Sequence, residues 1–335
     1  MTEKTDITTE TPERLSIAGL PLDVQKDLQN IFDGHTLPSL YSDIIAKTIF
    51  HADLHPDRLN FLLRGIAKDE TIDVDRSAGN ESVKQSLNSK GMIYDIAAWL
   101  KDLRMSDLGI QKAAQDFLFT RVDLYGSDML LLQYQVEAGQ AKSELNYQNV
   151  NDVLIVVLMV ESPKAFREFD SVSDCYIHRF EKMVADTGLT YTPKVKTMYV
   201  QLDKCLEQFR SGYNSESEDH QPDELQRWLA MIADINDLSV AEAVKTDEEL
   251  LKIRAEVHSM AQDKEVQNMI IQERYDRMDV LTYGSEREAA GEERGKINTL
   301  LRLLKNGRIT VEEAAEDCNM SVKDFTDAYL TPASA

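Results

Sequence analysis

The chain has 335 residues, 42% of them hydrophobic, and its 59 acidic against 37 basic side chains give a formal net charge of −22. That is enough apolar material for one sizeable core with an additional helical region, and the acidic excess tells against a simple electrostatic binder of nucleic acid, because Lys and Arg supply most non-specific phosphate affinity. With three widely spaced cysteines and no Cys-x-x-Cys, no apolar run of about 18 residues, and no basic-then-apolar N-terminus, neither a disulfide scaffold nor a membrane span nor a secretory signal is expected, and the pattern suits a reducing cytoplasm.

Met1 to Glu13 is rich in Thr and Glu without apolar periodicity and reads as a disordered tail. Leu20 to Phe32 has helical spacing, as a short helix packed on the domain or as an appended element. Asp43 to Phe50 is expected to be the first core helix. His51 and His55 stand at a spacing that suits zinc on one helix face, but Pro56 follows at once, and a solvated helix end is the better reading. Asp57 to Ile66 forms a second helix, and the polar Thr71 to Lys90 reads as a loop.

The next stretch, GMIYDIAAWLKDLRMSDLGIQ, spans Gly91 to Gln111. Gly91 to Leu100 is apolar around one carboxylate, Asp95; Lys101 to Arg104 is a charged turn; Met105 to Gln111 is a second extended segment. Alternation puts Asp107, Gly109 and Gln111 on one face and turns Leu108 and Ile110 into a core, which makes a polar ledge on an apolar sheet. Asp116 to Ala138 then repeats Phe117, Val122, Tyr125, Met129, Leu132 and Val136 at helical steps, a helix laid on that sheet. Val153 to Val160 is a β-branched run of the kind buried on both faces, and its helical crossover from the hairpin implies parallel pairing. Lys196 to Leu202 is a further strand. Helices interleaved with strands predict an α/β sheet flanked by helices.

Ser211 to Asp223 is Ser, Glu and Asp rich and reads as an acidic linker. Beyond it the pattern is helical throughout: Glu224 to Ile235 around Trp228, a long segment from Thr246 to Val280, and Ser285 to Lys305. Such helices pack on a core or pair between subunits, so a homo-oligomer through this region is expected. The last segment, Gly307 to Leu330, has the cadence of a helix-turn-helix. Six acids and one base, Lys323, between Val311 and Asp327 make it a packing or partner element rather than a major-groove reader.

The hairpin carries a specific resemblance. It resembles the PD-(D/E)XK nuclease family transposases, also called recombination-promoting nucleases, whose hairpin reads as an Asp in the first strand, a turn, and Glu-x-Gln in the second. Asp95 matches the Asp and Gln111 the Gln, whereas the Glu position is Gly109. The family's Asp-Gly turn stands here as Asp102-Leu103, without the residue that tolerates φ > 0. YSDIIAKTIF from Tyr41, DVLIVVLMV from Asp152, YVQLDK from Tyr199, DELQRWLAMI from Asp223 and AAGEERGKINTLLRLLKNG from Ala289 resemble further family segments.

The resemblance implies a restriction-endonuclease-like mixed sheet over residues 40–210, after an N-terminal tail and helix at 1–39. An acidic linker at 211–223 and a helical C-terminal region at 224–335 follow. It implies a DNA substrate and a Mg²⁺- or Mn²⁺-dependent phosphodiester hydrolase, in which carboxylates hold an ion that orients and acidifies water. Asp95 would be the metal ligand, Gln111 would orient water or phosphate, and Lys112 and Arg121 would contact phosphate. Glycine offers no ligand, so impaired catalysis is expected. Asp43, Asp107 and Asp116 are the acids that could substitute. Asp43 reads equally as a helix cap, and Asp107 stands roughly 6.5 to 7 Å along the strand, so it would need a bulge or a bridging water. The alternative is a non-catalytic DNA- or protein-binding module that retains the nuclease fold. Neither a phosphate-binding Gly-rich loop nor a nucleophile elbow is present.

Overall fold

A computed structural model of the chain describes residues 15–78, 95–115, 117–140, 150–180, 182–183, 186–191, 193–213, 221–305, 308–318, 320–322 and 325–326. The predicted tail Met1 to Glu13, the start of the first hairpin strand at 91–94, most of the predicted loop up to Lys90, Asp116, and residues 214–220 of the acidic linker lie outside them. The elements are α1 (Leu22–Phe32), α2 (Asp43–Ile49), α3 (Pro56–Ala67), β1 (Val74–Ser77), β2 (Ile96–Leu100), β3 (Met105–Gln111), α4 (Leu118–Gln140), β4 (Val153–Met159), α5 (Lys164–Arg167), β5 (Ile177–Phe180), β6 (Lys182–Met183), β7 (Thr190–Tyr191) and β8 (Val195–Gln201). There follow α6 (Leu202–Tyr213), α7 (Glu224–Ala233), α8 (Leu238–Ala243), α9 (Glu248–Gln262), α10 (Lys264–Lys305) and α11 (Val311–Asp317).

Six strands form one mixed sheet in the order β1-β2-β3-β4-β8-β5. The central trio β3, β4 and β8 is parallel, and β1, β2 and β5 add antiparallel edges. The apolar β4 is buried along its whole length, as a strand covered on both faces requires. Its alternate residues divide between two cores. Leu154, Val156 and Leu158 join Leu108 of β3 beneath α2, α3, α6 and α7, while Val153, Ile155, Val157 and Met159 join Met105 beneath α4. Trp228 on α7 lies 4.7 Å from the ring of Phe61 on α3, and Leu250, Ile253 and Val257 of α9 fall in the same core. Helices α7, α8 and α9 therefore complete the sheet's first layer. Residues 1–271 form one compact unit and 272–335 a second.

Four sequence expectations are corrected here. Thr71 to Lys90 is not wholly loop, because Val74–Ser77 pairs with β2 as an edge strand; four residues with Asp75 and Arg76 at the centre are too short and charged to show a period. The strand expected from Gly91 begins at Ile96, which leaves Asp95 just before it. Thr246 to Val280 is two helices rather than one long segment: Asp263 interrupts it and caps α10 by accepting from the Glu265 and Val266 amides. Phe117, assigned to the apolar stripe of the following helix, is 60% exposed. The first helix, α1, is packed on the domain, with Leu28, Ile31 and Phe32 buried.

In the second unit, Thr310 and Glu313 form a reciprocal capping box at the start of α11. Ala314, Ala315 and Phe325 bury against Leu300 of α10, so this segment does pack.

One glycine fixes how α4 lies on the sheet. A Cβ at Gly126 would stand 2.5 Å from Val195 Cγ1 of β8, closer than atoms can approach, and a tight 3.3 Å from Ile155 Cδ1 of β4. Gly126→Ala must displace either the Val195 side chain or α4 itself, and overpacking of this kind costs roughly 1–3 kcal/mol. The expected outcome is a lower denaturation midpoint with an unchanged denaturant slope, read by circular dichroism in urea.

Candidate functional site

The sheet face under α4 carries the odd-numbered residues of β3, and these include Asp107, Gly109 and Gln111. The hairpin register pairs Ile96 with Leu108, so Asp95, one residue earlier, comes from across the hairpin towards Gly109. An ideal Cβ built on Gly109 would lie 3.6 Å from Asp95 Oδ2, 3.8 Å from Asp107 Oδ2 and 3.9 Å from the Val156 carbonyl oxygen. The two carboxylates thus face one small space from two directions. No bulge in β3 is needed to bring Asp107 there. The predicted ledge is not a solvated one, for Asp107 is 1% exposed and Gln111 6%. A cavity of about 20 Å³, lined by Asp95, Asp107, Gly109, Gln111, Arg121 and Tyr125, has room for one water-sized occupant.

Both carboxylates also tie the open end of the hairpin. Asp95 Oδ2 accepts the Ile110 amide at 2.7 Å, and Asp107 accepts amides of Ile96 and Asp95. Asp107 Oδ1 has no hydrogen-bond partner although it is buried. Burial first, and the neighbouring Asp95 carboxylate second, push Asp107 up to about 7, against the Ile96 amide and Arg121. Asp95 is raised too, by burial and then by Asp43, while the Ile110 amide, Arg121 and Lys47 oppose the shift.

Around this pair the predicted cations hold protein partners. Arg121 donates from Nη1 to Gln111 Oε1 at 3.1 Å and from Nε to Tyr125 Oη at 3.1 Å. Gln111 Nε2 donates to the Ala113 carbonyl at 2.7 Å. Lys112 Nζ lies 2.7 Å from Asp43 Oδ1. Asp43 is the first residue of α2 rather than its cap, which is Ser42. Asp116 lies outside the described residues. His51 and His55 approach different carboxylates, Asp53 at 4.0 Å and Glu256 at 3.9 Å, as a helix end does.

A second polar cluster, unread in the sequence, sits at the C-terminal ends of β4 and β8. The fully buried Gln201 contacts His178 Nε2 at 2.7 Å and donates to Asp170 at 3.2 Å. Lys204 pairs with Asp170 at 3.0 Å, and Asp203 accepts from the Ser162 amide at 2.9 Å. The Val160 amide donates to the Gln111 carbonyl at 2.9 Å, which joins this strand end to the hairpin's. The YVQLDK segment was the one available signal, since it supplies Gln201, Asp203 and Lys204.

A mixed six-stranded sheet flanked by helices, with carboxylates at the end of a hairpin, has the architecture of the PD-(D/E)XK-like fold. The model of the PD-(D/E)XK nuclease family transposases matches residues 41–283, and the chain belongs to that family. Neither the curated proteins nor the solved structures gave a significant match. Members of this family generally use divalent metals. The described residues contain no group of three or more His, Cys, Asp or Glu side chains placed to hold one. Two carboxylates, Asp95 and Asp107, face the space at position 109, the number by which Mg²⁺ is usually held together with waters and phosphate.

The raised carboxyls fix a sign for pH dependence. Between the ordinary carboxylate range and about pH 7, folded Asp107 keeps a proton that the unfolded chain has released, so stability falls as pH rises through that window and levels above it. Asp95 acts in the same direction. Asp107→Asn is expected to flatten most of this fall, in thermal melts at pH 5, 6, 7 and 8 taken without divalent metal.

Proposed function

We propose that the chain acts on DNA as a metal-dependent endonuclease of the recombination-promoting kind, with catalysis weakened at position 109. The observation that carries this reading is Asp95 facing Gly109 across the end of the hairpin, with the buried Asp107 beside both. Asp95 would hold a Mg²⁺ or Mn²⁺ ion, which supplies an acidified water and charge neutralisation at phosphate. Gln111, held between Arg121 and the Ala113 carbonyl, would orient water or phosphate. Arg121 and Lys112 would exchange Gln111 and Asp43 for phosphate oxygens, which confines DNA affinity to a local basic patch in an acidic protein. The structural use of both carboxylates, each accepting backbone amides, favours as second reading a DNA- or partner-binding module that keeps the fold without cleavage.

Plasmid and linear DNA cleavage in Mg²⁺ or Mn²⁺ separates the two. The natural chain is expected to cut slowly, Gly109→Glu to cut about tenfold faster or more, a barrier lower by ~1.4 kcal/mol, and Asp95→Ala not at all. The space at Gly109 accepts a side chain, since the nearest contacts of a Cβ there are ordinary van der Waals ones. If Gly109→Glu leaves DNA intact with either metal, the binding module is the function.

The C-terminal helices supply a proposed homo-oligomer contact. Light scattering at micromolar concentration is expected to give twice the 38.0 kDa chain mass, and a monomeric mass removes that proposal.

A further inference from the structure

We propose that the cleft between α4 and the strands β8 and β5 is a binding site for a small alkylated ammonium compound, held by the rings of Phe119, Phe180 and Tyr199 and by the carboxylate of Asp123. The inference goes beyond the nuclease reading above and does not rest on it.

The cleft has a volume of about 460 Å³. From α4, Arg121 and Tyr125 line the cavity at the hairpin, whereas Phe119, Asp123 and Ser127 line this cleft, so the helix divides two sites. Concave spaces of this size, walled by aromatic groups with a few polar ones, are the form that small-molecule sites take.

Tyr199 meets Phe119 at 5.3 Å and 71°, and Phe180 at 4.9 Å and 67°. Rings at such angles make the walls of a corner rather than a stack. Phe166, buried behind them, contacts Phe119 at 5.6 Å and Tyr199 at 5.4 Å and fixes the corner from within. Core packing accounts for Phe166 and Tyr199, which are buried, but not for Phe180, which ends an edge strand with 46% of its surface exposed. An exposed ring standing alone would be ordinary. This one completes a concave wall.

Charge selects the ligand. Asp123 is the only charged group among the described residues that line the cleft. Lys194 and Lys196, on either side of Val195, belong to the alternate residues and reach Asp152 instead, at 3.3 and 2.8 Å. Burial first, and the Asp123 carboxylate second, push the Tyr199 hydroxyl upward, so it stays neutral beside that acid. Aromatic faces carry partial negative charge, so the rings and the carboxylate favour the same guest, a cation. A nucleobase would need a parallel ring to stack on, and its phosphates would meet Asp123 and a chain of net charge −22. An alkylated ammonium group spreads its charge over methyl groups that bury against rings, and it has no N–H that must find an acceptor.

The test is nuclear magnetic resonance of choline titrated with the full chain at physiological salt, where loose attraction to an acidic surface is screened. The N-methyl signal is expected to move upfield, as ring currents require of protons held over aromatic faces, and to saturate with a single choline per chain. The neutral isostere, with carbon in place of the quaternary nitrogen, should bind at least about tenfold more weakly, and choline should lose as much with Asp123→Asn and with Phe180→Ala, the scale of one desolvated cation–π contact. Asp123 and Phe180 are exposed, so neither change opens the core, and far-ultraviolet circular dichroism checks that each variant is folded. No upfield shift in the natural chain, equal binding of the neutral isostere, or unchanged affinity in either variant overturns the proposal. So does a chain indifferent to choline that binds adenosine and loses it with Phe180→Ala, for the corner is then a nucleobase site.

Discussion

The close approach of α4 to the sheet at Gly126 is the constraint on which the site depends. Because no Cβ stands between the helix and Val195, the helix lies low enough for Leu118, Arg121, Val122 and Tyr125 to roof the odd-numbered face of β3. A higher helix would leave Asp107 and Gln111 wet. Their chemistry would then be that of ordinary surface side chains, since the shifts at Asp107 and Asp95 come first from burial.

Under that roof the hairpin end uses its carboxylates twice over. Each accepts backbone amides where two strands separate, so each replaces a ladder hydrogen bond the sheet would otherwise lack. This holds the side chains in place before any ligand arrives, which is what a site needs if it is not to reorganise on binding. The engagement of Gln111 with Arg121 and of Lys112 with Asp43 has the same character. A polyanion would meet cations already positioned but already paired, in a protein whose overall charge repels it.

Much of the scaffold was legible because its signals are local. The unbroken run from Val153, the alternation of Leu108 with Asp107 and Gly109, and the helical steps from Leu118 each name their element without help from the rest of the chain. What failed lacked such a signal. Val74–Ser77 is a strand only because β2 offers it an edge, and the end of α9 is set by one capping side chain, Asp263, inside apolar spacing that runs straight through it. The site was legible in its members and not in its arrangement. Distance along β3 separates Asp107 from position 109, but the side chains converge on Asp95 from across the hairpin, and burial of the face depends on a glycine in α4 that sequence periodicity does not single out. The cluster of Asp170, His178, Gln201 and Lys204 draws on three segments and had no signal as a group.

The two ends of the β2–β3 hairpin obey different rules. At the closed end Leu103 sits at φ 66°, a conformation that disfavours a side chain by roughly 1–2 kcal/mol. It persists there because Arg104 is clamped to Asp102 and Asp69, and because the Leu103 amide donates to the Leu100 carbonyl. Strain at that end is held by an ion-pair clamp around a largely covered guanidinium, Arg104, whose two acid partners lie nearer to solvent. At the open end Asp95 and Asp107 share one small space lined also by Arg121, so a change in one alters the field at the others. Changes at the turn therefore act on the clamp and changes at the mouth on the shared charges, so the turn is the place to tune the hairpin's stability without touching its chemistry.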